Sequence, residues 1–324
     1  MPWRSWQATT LVGALRRLAS RGGGAFAERA GLSDEALLEW LGQRPPALPE
    51  ELSGQAEVAQ ALRARALAAG VPEAAAEELA ELWPSLDESL RLQVAAPLRR
   101  RGPGLQLVRW GEDLARQTDG TTCGSACLVM LAAAGDPSLA LWLATGRLLD
   151  GHTPPEVRVL RRVRPGAVPD RPGRRFAALQ LLVKQVSNAR ALGPLPWPHA
   201  LGTPPWGASL AARFAGLRFR AEMVDDADRP RTARQLARAA GALAAGIPVP
   251  LFSGGDLGAG LDSAVPRHVV LLAGLSADGS GFSVYEPGQA ALVDISRREI
   301  LEPAGPRPAL GGWSHAAWIV LPRQ

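Results

Sequence analysis

The feature that most constrains this chain is a set of short apolar runs in its C-terminal part: IPVPLF from Ile247, HVVLLAG from His268, GFSVYEP from Gly281, ALVDI from Ala291 and AAWIVLP from Ala316. Each has strand length, and the turn-forming stretches SADGSG and PGQ separate three of them, a pattern that predicts a meander of antiparallel strands. None approaches the roughly 20 apolar residues that a membrane-spanning helix needs. The preceding chain has a different texture. From Ala25 to Leu98, runs with helical periodicity alternate with breaks: AFAERAG, SDEALLEWLGQ, GQAEVAQALRARALAAG, PEAAAEELAELW and LDESLRLQVAAPL. Ser33 is a natural N-cap, and Gly42 and Gly70 close helices. Further helices are expected over Cys123–Ala134, Phe176–Asn188 and Thr232–Ala245, a strand over Leu217–Val224, and a capping box at Ser296 and Glu299. Helices first and antiparallel strands after define an α+β protein.

The 324 residues favour two domains, and the break RRRGPG, Arg99 to Gly104, sets the expected boundary. Residues 1–104 then form an N-terminal helical domain and residues 105–324 a second domain. The sequence pI of about 10.3 overstates the charge. The formal excess is only +5, and arginines interleaved with acids read as solvated faces, so nucleic acid is not an expected partner. The arginine-rich composition, with Lys184 as the only lysine, points to a GC-rich bacterial genome. The N-terminal stretch has no unbroken apolar core and no small-residue cleavage site, so no secretory signal is read there, and two cysteines make no disulfide framework. A cytoplasmic protein with no membrane partner is the expectation; oligomeric state is not legible.

The segment that carries chemistry runs Gln117-Thr-Asp-Gly-Thr-Thr-Cys123-Gly-Ser-Ala-Cys127. Thr122 is placed to cap a helix that begins at Cys123, and a cysteine in a first helical turn meets free backbone N–H groups and the positive end of the helix dipole, which favour thiolate. The Gln117 amide, across a loop of small residues, is placed to donate to an oxyanion together with the Cys123 N–H. Downstream, His268 opens an apolar strand, and the next strand ends at Glu286-Pro287-Gly288; paired antiparallel, these strands bring Glu286 beside His268. Cys127, one turn into the helix, reads as core.

This order of Gln, Cys-Gly at a helix start, His opening a strand and an acid before Pro resembles the papain-like cysteine peptidase superfamily, and within it bacterial double-glycine leader peptidase-like proteins. The phrase AAGIPVPLF before the histidine strand is similar to that group as well. The resemblance spans Leu105 to Pro322 and leaves the N-terminal helices unexplained. It implies a papain-like fold, Cys123 as nucleophile, His268 as base, Gln117 in the oxyanion hole, and amide cleavage in a peptide or protein without cofactor or metal. Glu286 departs from the Asp usual in the family, and Asp294 is the fallback. Transporter domains fused to many leader peptidases have no counterpart here, so a leader-peptide substrate is not implied.

Other readings share these residues. The same triad serves acyl transfer in transglutaminase-like or acetyltransferase-like proteins, and a papain fold also serves as a non-catalytic binding module. His315 in GGWSHAAW is the rival base, with Trp313 and Trp318 beside it as packing residues. His152 and His199 read as surface groups in Pro-rich loops. A zinc set of Cys123, Cys127 and His268 lacks a Cys-x-x-Cys pair and is not expected. GGDLGAG from Gly254 reads as a flexible loop rather than a phosphate cradle. The Pro-rich segments Gly151–Arg175 and Gly193–Trp206 are expected to wall a cleft. For the N-terminal helices, inhibition of the thiol site, substrate recruitment and support of the fold are the possibilities.

Overall fold

A computed structural model describes residues 52, 55–166, 169–189, 191–192, 194–255 and 268–323. The helices expected before Gln55, with Ser33 and Gly42, lie outside the described residues, as does all of GGDLGAG beyond Gly255. The described chain is α+β. It opens with α1 (Gln55–Ala68), α2 (Glu73–Leu82) and α3 (Glu88–Ala95). Gly70 ends the first of these with φ +84°, a conformation that a side chain resists, and the Asp87 carboxylate caps α3 by accepting from Leu90 N–H. The short strands β1 (Gln106–Leu107), β2 (Arg109–Trp110) and β3 (Asp113–Leu114) follow, then α4 (Cys123–Gly135) and α5 (Pro137–Thr145).

The next elements are α6 (Pro155–Val163), α7 (Pro172–Asn188), α8 (Pro205–Ala211), β4 (Arg218–Met223), α9 (Arg229–Ala244), β5 (Val249–Gly254), β6 (His268–Leu275), β7 (Gly281–Glu286), β8 (Ala291–Ser296), α10 (Arg297–Leu301) and β9 (His315–Arg323). Ser296 and Glu299 form the expected capping box at the start of α10. The 7-stranded sheet has the order β1-β8-β7-β6-β5-β9-β4. Strands β5 to β8 are the expected meander, whereas β9 returns across the sheet to pair with β5, and β4 covers its outer edge. Every residue of α4 is buried, because this helix lies against β6 on one side and α7 on another.

One expected loop is partly helical. The Pro- and Arg-rich stretch 151–175 contains α6, with Val157 and Leu160 buried, and the first turn of α7, which starts at Pro172 rather than Phe176. Proline is compatible with a first helical position, where its missing N–H has no partner to lose. The helix α5, read from sequence as part of no element, follows α4 directly at an angle of 116°. Asp136 makes that corner by capping α5 through Ser138 and Leu139 N–H, and Gly146 closes it in the left-handed region. Among the described residues no single helix is long and apolar enough to cross a membrane.

The N-terminal helices have their own apolar cluster, built on Val58, Leu62, Leu79 and Trp83, and it is completed by Leu141 from α5 and by Leu149. Polar ties cross at the same place. Arg65 donates to Ala95 O at the end of α3 and to Ala134 O near the end of α4 (3.0 and 2.9 Å). Glu78 accepts from Arg147 and from Asp150 N–H. The RRRGPG break is likewise held, since Arg100 donates to Leu292 O and pairs with Asp294 at 3.1 Å.

Candidate active site

The loop before Cys123 is shaped by its own hydroxyls. Thr122 occupies the N-cap position but its side chain does not cap α4; its oxygen instead accepts from Thr118 N–H and Asp119 N–H, both at 2.9 Å. The expectation of a capping Thr122 is therefore corrected: the hydroxyl is closer to the loop's donors than to the helix's. Helix α7 braces this loop through residues one turn apart. Gln180 accepts from Thr118 N–H and donates to Arg116 O, and the Lys184 ammonium, only 7 % exposed, donates to the Thr121 hydroxyl. From the other side, Gln117 N–H donates to Pro287 O at 2.9 Å and the Tyr285 hydroxyl donates to Ala115 O. Gly124 is required because a Cβ there would lie 2.8 Å from Thr203 Cβ.

Cys123 is 3 % exposed at the head of α4, and its thiol is near enough to the His268 imidazole to raise its proton affinity. His268 is the first residue of β6, and its Nε2 lies 2.7 Å from Glu286 Oε1. Glu286, 2 % exposed at the end of β7, curls back on its own turn, where Gly288 N–H and Gln289 N–H donate to its two oxygens (2.9 and 2.7 Å). This curl explains how a glutamate fits: the extra methylene is taken up by the turn. Burial of Glu286 alone would raise its pKa, but the bonds from His268 and from the two N–H groups outweigh it and hold the carboxyl below its ordinary value. Burial likewise depresses His268, yet its bonds to Cys123 and Glu286 prevail and lift it to about 9. The site thus favours an imidazolium between two acidic partners.

Gln117 is tied by its backbone N–H to Pro287, next to Glu286. Its Nε2 donates to Asp119 O at 2.8 Å, and its Oε1 is buried without a hydrogen-bond partner. Asp294, the fallback acid, does not join: it is half-exposed on β8, opposite Ser283, and is paired with Arg100. His315 opens β9 as expected but is buried and bonded through Nδ1 to Asp226, so it and His268 each have a separate carboxylate. His152, expected on the surface, is 9 % exposed, with its Nε2 3.1 Å from Ser138 Oγ beside the Asp136 corner. His199 is exposed.

Cys127 is fully buried with its thiol on Val269 O (3.4 Å), and burial pushes its pKa well up. Trp318 meets Trp206 edge to face, and Trp197 meets Trp206 edge to face in turn. Of the two expected cleft walls, the second reaches the site, since Thr203 packs on Gly124 and Gly202 lies beside Thr121 O. The first does not: Glu156 of α6 is bound through Arg213 to Asp136, just past the opposite end of α4 from Cys123.

Sequence reading missed Gly311. With φ +66°, it lies over the imidazole so closely that a Cβ would sit 2.1 Å from His268 Cδ2. The turn before it is anchored by Ser253 Oγ donating to Leu310 O at 2.9 Å, and Ser253 is the β5 partner of His268. The GG pair at 311–312 was the available signal, hidden because nothing local ties it to a histidine far back in the chain. No protein-family model matches the chain, and no curated protein is significantly similar to it.

Proposed function

We propose that the chain is a papain-like thiol hydrolase that cleaves an amide bond in a peptide or protein, with Cys123 as nucleophile, His268 as acid–base group and Glu286 as its orienting carboxylate. The observation that carries this reading is the His268 imidazole, 2.7 Å from a buried carboxylate and beside a thiol at a helix start. Glu286 holds Nε2, which leaves Nδ1 as the ring nitrogen available to the thiol. In the reaction, thiolate attacks the carbonyl carbon, and the oxyanion takes a hydrogen bond from Cys123 N–H. The Gln117 amide has two N–H donors, of which Asp119 O occupies one, leaving the other for the same oxygen. The imidazolium gives its proton to the leaving amine; the neutral ring then draws a proton from water, which attacks the thioester and releases the acid.

The same geometry supports acyl transfer if an amine replaces water in the second step. Incubation of the full chain with a mixed peptide library, followed by mass spectrometry for new N-termini, tests the proposal. Cleavage that disappears in Cys123→Ala is expected; a library left intact, with an added amine incorporated instead, would assign transfer, and no reaction in either arm would overturn both.

A further inference from the structure

On the side of the molecule remote from Cys123, a cavity of about 370 Å³ lies where the N-terminal helices meet the sheet. That volume is within the usual range of small-molecule sites. Arg65, Arg99 and Arg100 line it together with Ser283, and apolar walls come from Phe214, Leu243 and Leu275. Three further observations bear on its occupant. Arg65 donates only to neutral carbonyls at the ends of α3 and α4, and among the described residues no carboxylate pairs with it. Its burial and the neighbouring Arg99 charge together depress it to about 10, so two cations face one another there. Ser283 is 2 % exposed and its hydroxyl oxygen has no hydrogen-bond partner. Opposite Ser283, Gly274 sits at a bulge in β6 with nothing within 4 Å of where a Cβ would be, so part of the cavity is the space its missing side chain leaves.

We propose that this cavity binds a small amphiphilic anion, a carboxylate or phosphate monoester on a short hydrocarbon body. The head faces the arginines and Ser283, and the body lies against Phe214, Leu243 and Leu275. Arg65 is half-buried without a carboxylate partner among the described residues, and an anion would supply its counter-charge while the Ser283 hydroxyl gains a partner. Arg100 already has Asp294 as its counter-charge, and a neutral or basic occupant would satisfy the apolar wall but not Arg65. The bound molecule would also clamp α1 and α3 to the end of α4.

The test is calorimetric titration of the full chain, at fixed ionic strength, with octanoate, octyl phosphate, octanol and inorganic phosphate. Gly274→Leu fills the cavity from an open position in ordinary backbone, and Arg99→Gln removes charge without filling it. Saturable binding of octanoate or octyl phosphate is expected, weakened about tenfold in octanol, as loss of a charge-assisted bond predicts, and weakened at least as much in each variant. Absence of saturable heat from both amphiphiles up to about 10 mM, or affinity unchanged in either variant, would overturn the proposal. Equal affinity for inorganic phosphate and octyl phosphate would overturn the apolar part of it.

Discussion

At the residue scale, the site depends on how tightly His268 is confined. Gly311 leaves no room for a side chain above the ring, so Gly311→Ala must push the imidazole aside. A displacement of that order costs about 100-fold in rate, and kcat/KM for any peptide substrate is expected to fall accordingly while the circular dichroism spectrum is retained. Unchanged activity in that variant would mean that the ring is not held where the structure has it. Cys123 and Glu286 together raise the proton affinity of His268. With His268 lifted to about 9, the imidazolium that the proposed mechanism uses to protonate the leaving amine is present below that value and lost above it, so an alkaline limb near pH 9 is expected in the pH–rate profile. Glu286→Gln removes a negative partner, so the limb is expected to move to lower pH; a limb that stays in place would show that Glu286 does not act on His268. These residues were legible to different degrees. Cys123, His268 and Glu286 stand at an element's start or end, where the sequence marks them, whereas Gly311 acts through a contact across the sheet that no local pattern encodes.

At the element scale, strands and helices with clear periodicity were readable and the corners were not. The meander β5–β8 follows from alternating apolar runs and turn residues, but the return of β9 to the far side of β5 does not, because pairing partners are chosen by long-range burial. Helices α5 and α6 both start at proline, a first-turn position that apolar periodicity does not mark. The loop 117–122 is fixed by polar bonds that hydrophobic patterns cannot report. Thr122 is fully buried and accepts two backbone donors. Thr122→Val keeps the shape, strands Asp119 N–H and leaves Thr118 N–H to Gln180 alone, so a loss of about 1 kcal/mol or more in urea unfolding is expected, together with slower reaction of Cys123. Wild-type stability in Thr122→Val would remove the hydroxyl from this account.

At the scale of the whole molecule, the N-terminal helices share a core with the rest of the chain. Leu141 and Leu149, fully or nearly buried in the cluster around Trp83, would face water if residues 1–104 were removed. Each buried leucine is worth about 2 kcal/mol, and the Arg65 and Glu78 ties are lost as well, so a fragment of residues 105–324 is expected to melt well below the full chain. A fragment with an unchanged melting temperature would make residues 1–104 a separable unit. The central claim is that one of the two thiols is a nucleophile and the other is core. Limited alkylation of the folded full chain with iodoacetamide at neutral pH, with the modified cysteine mapped by mass spectrometry, tests it most directly. The account predicts that Cys123 reacts, that His268→Ala slows it, and that Cys127, held on Val269 O, stays unmodified until denaturant is added. Equal rates at both cysteines, or silence at both until the chain unfolds, would contradict it.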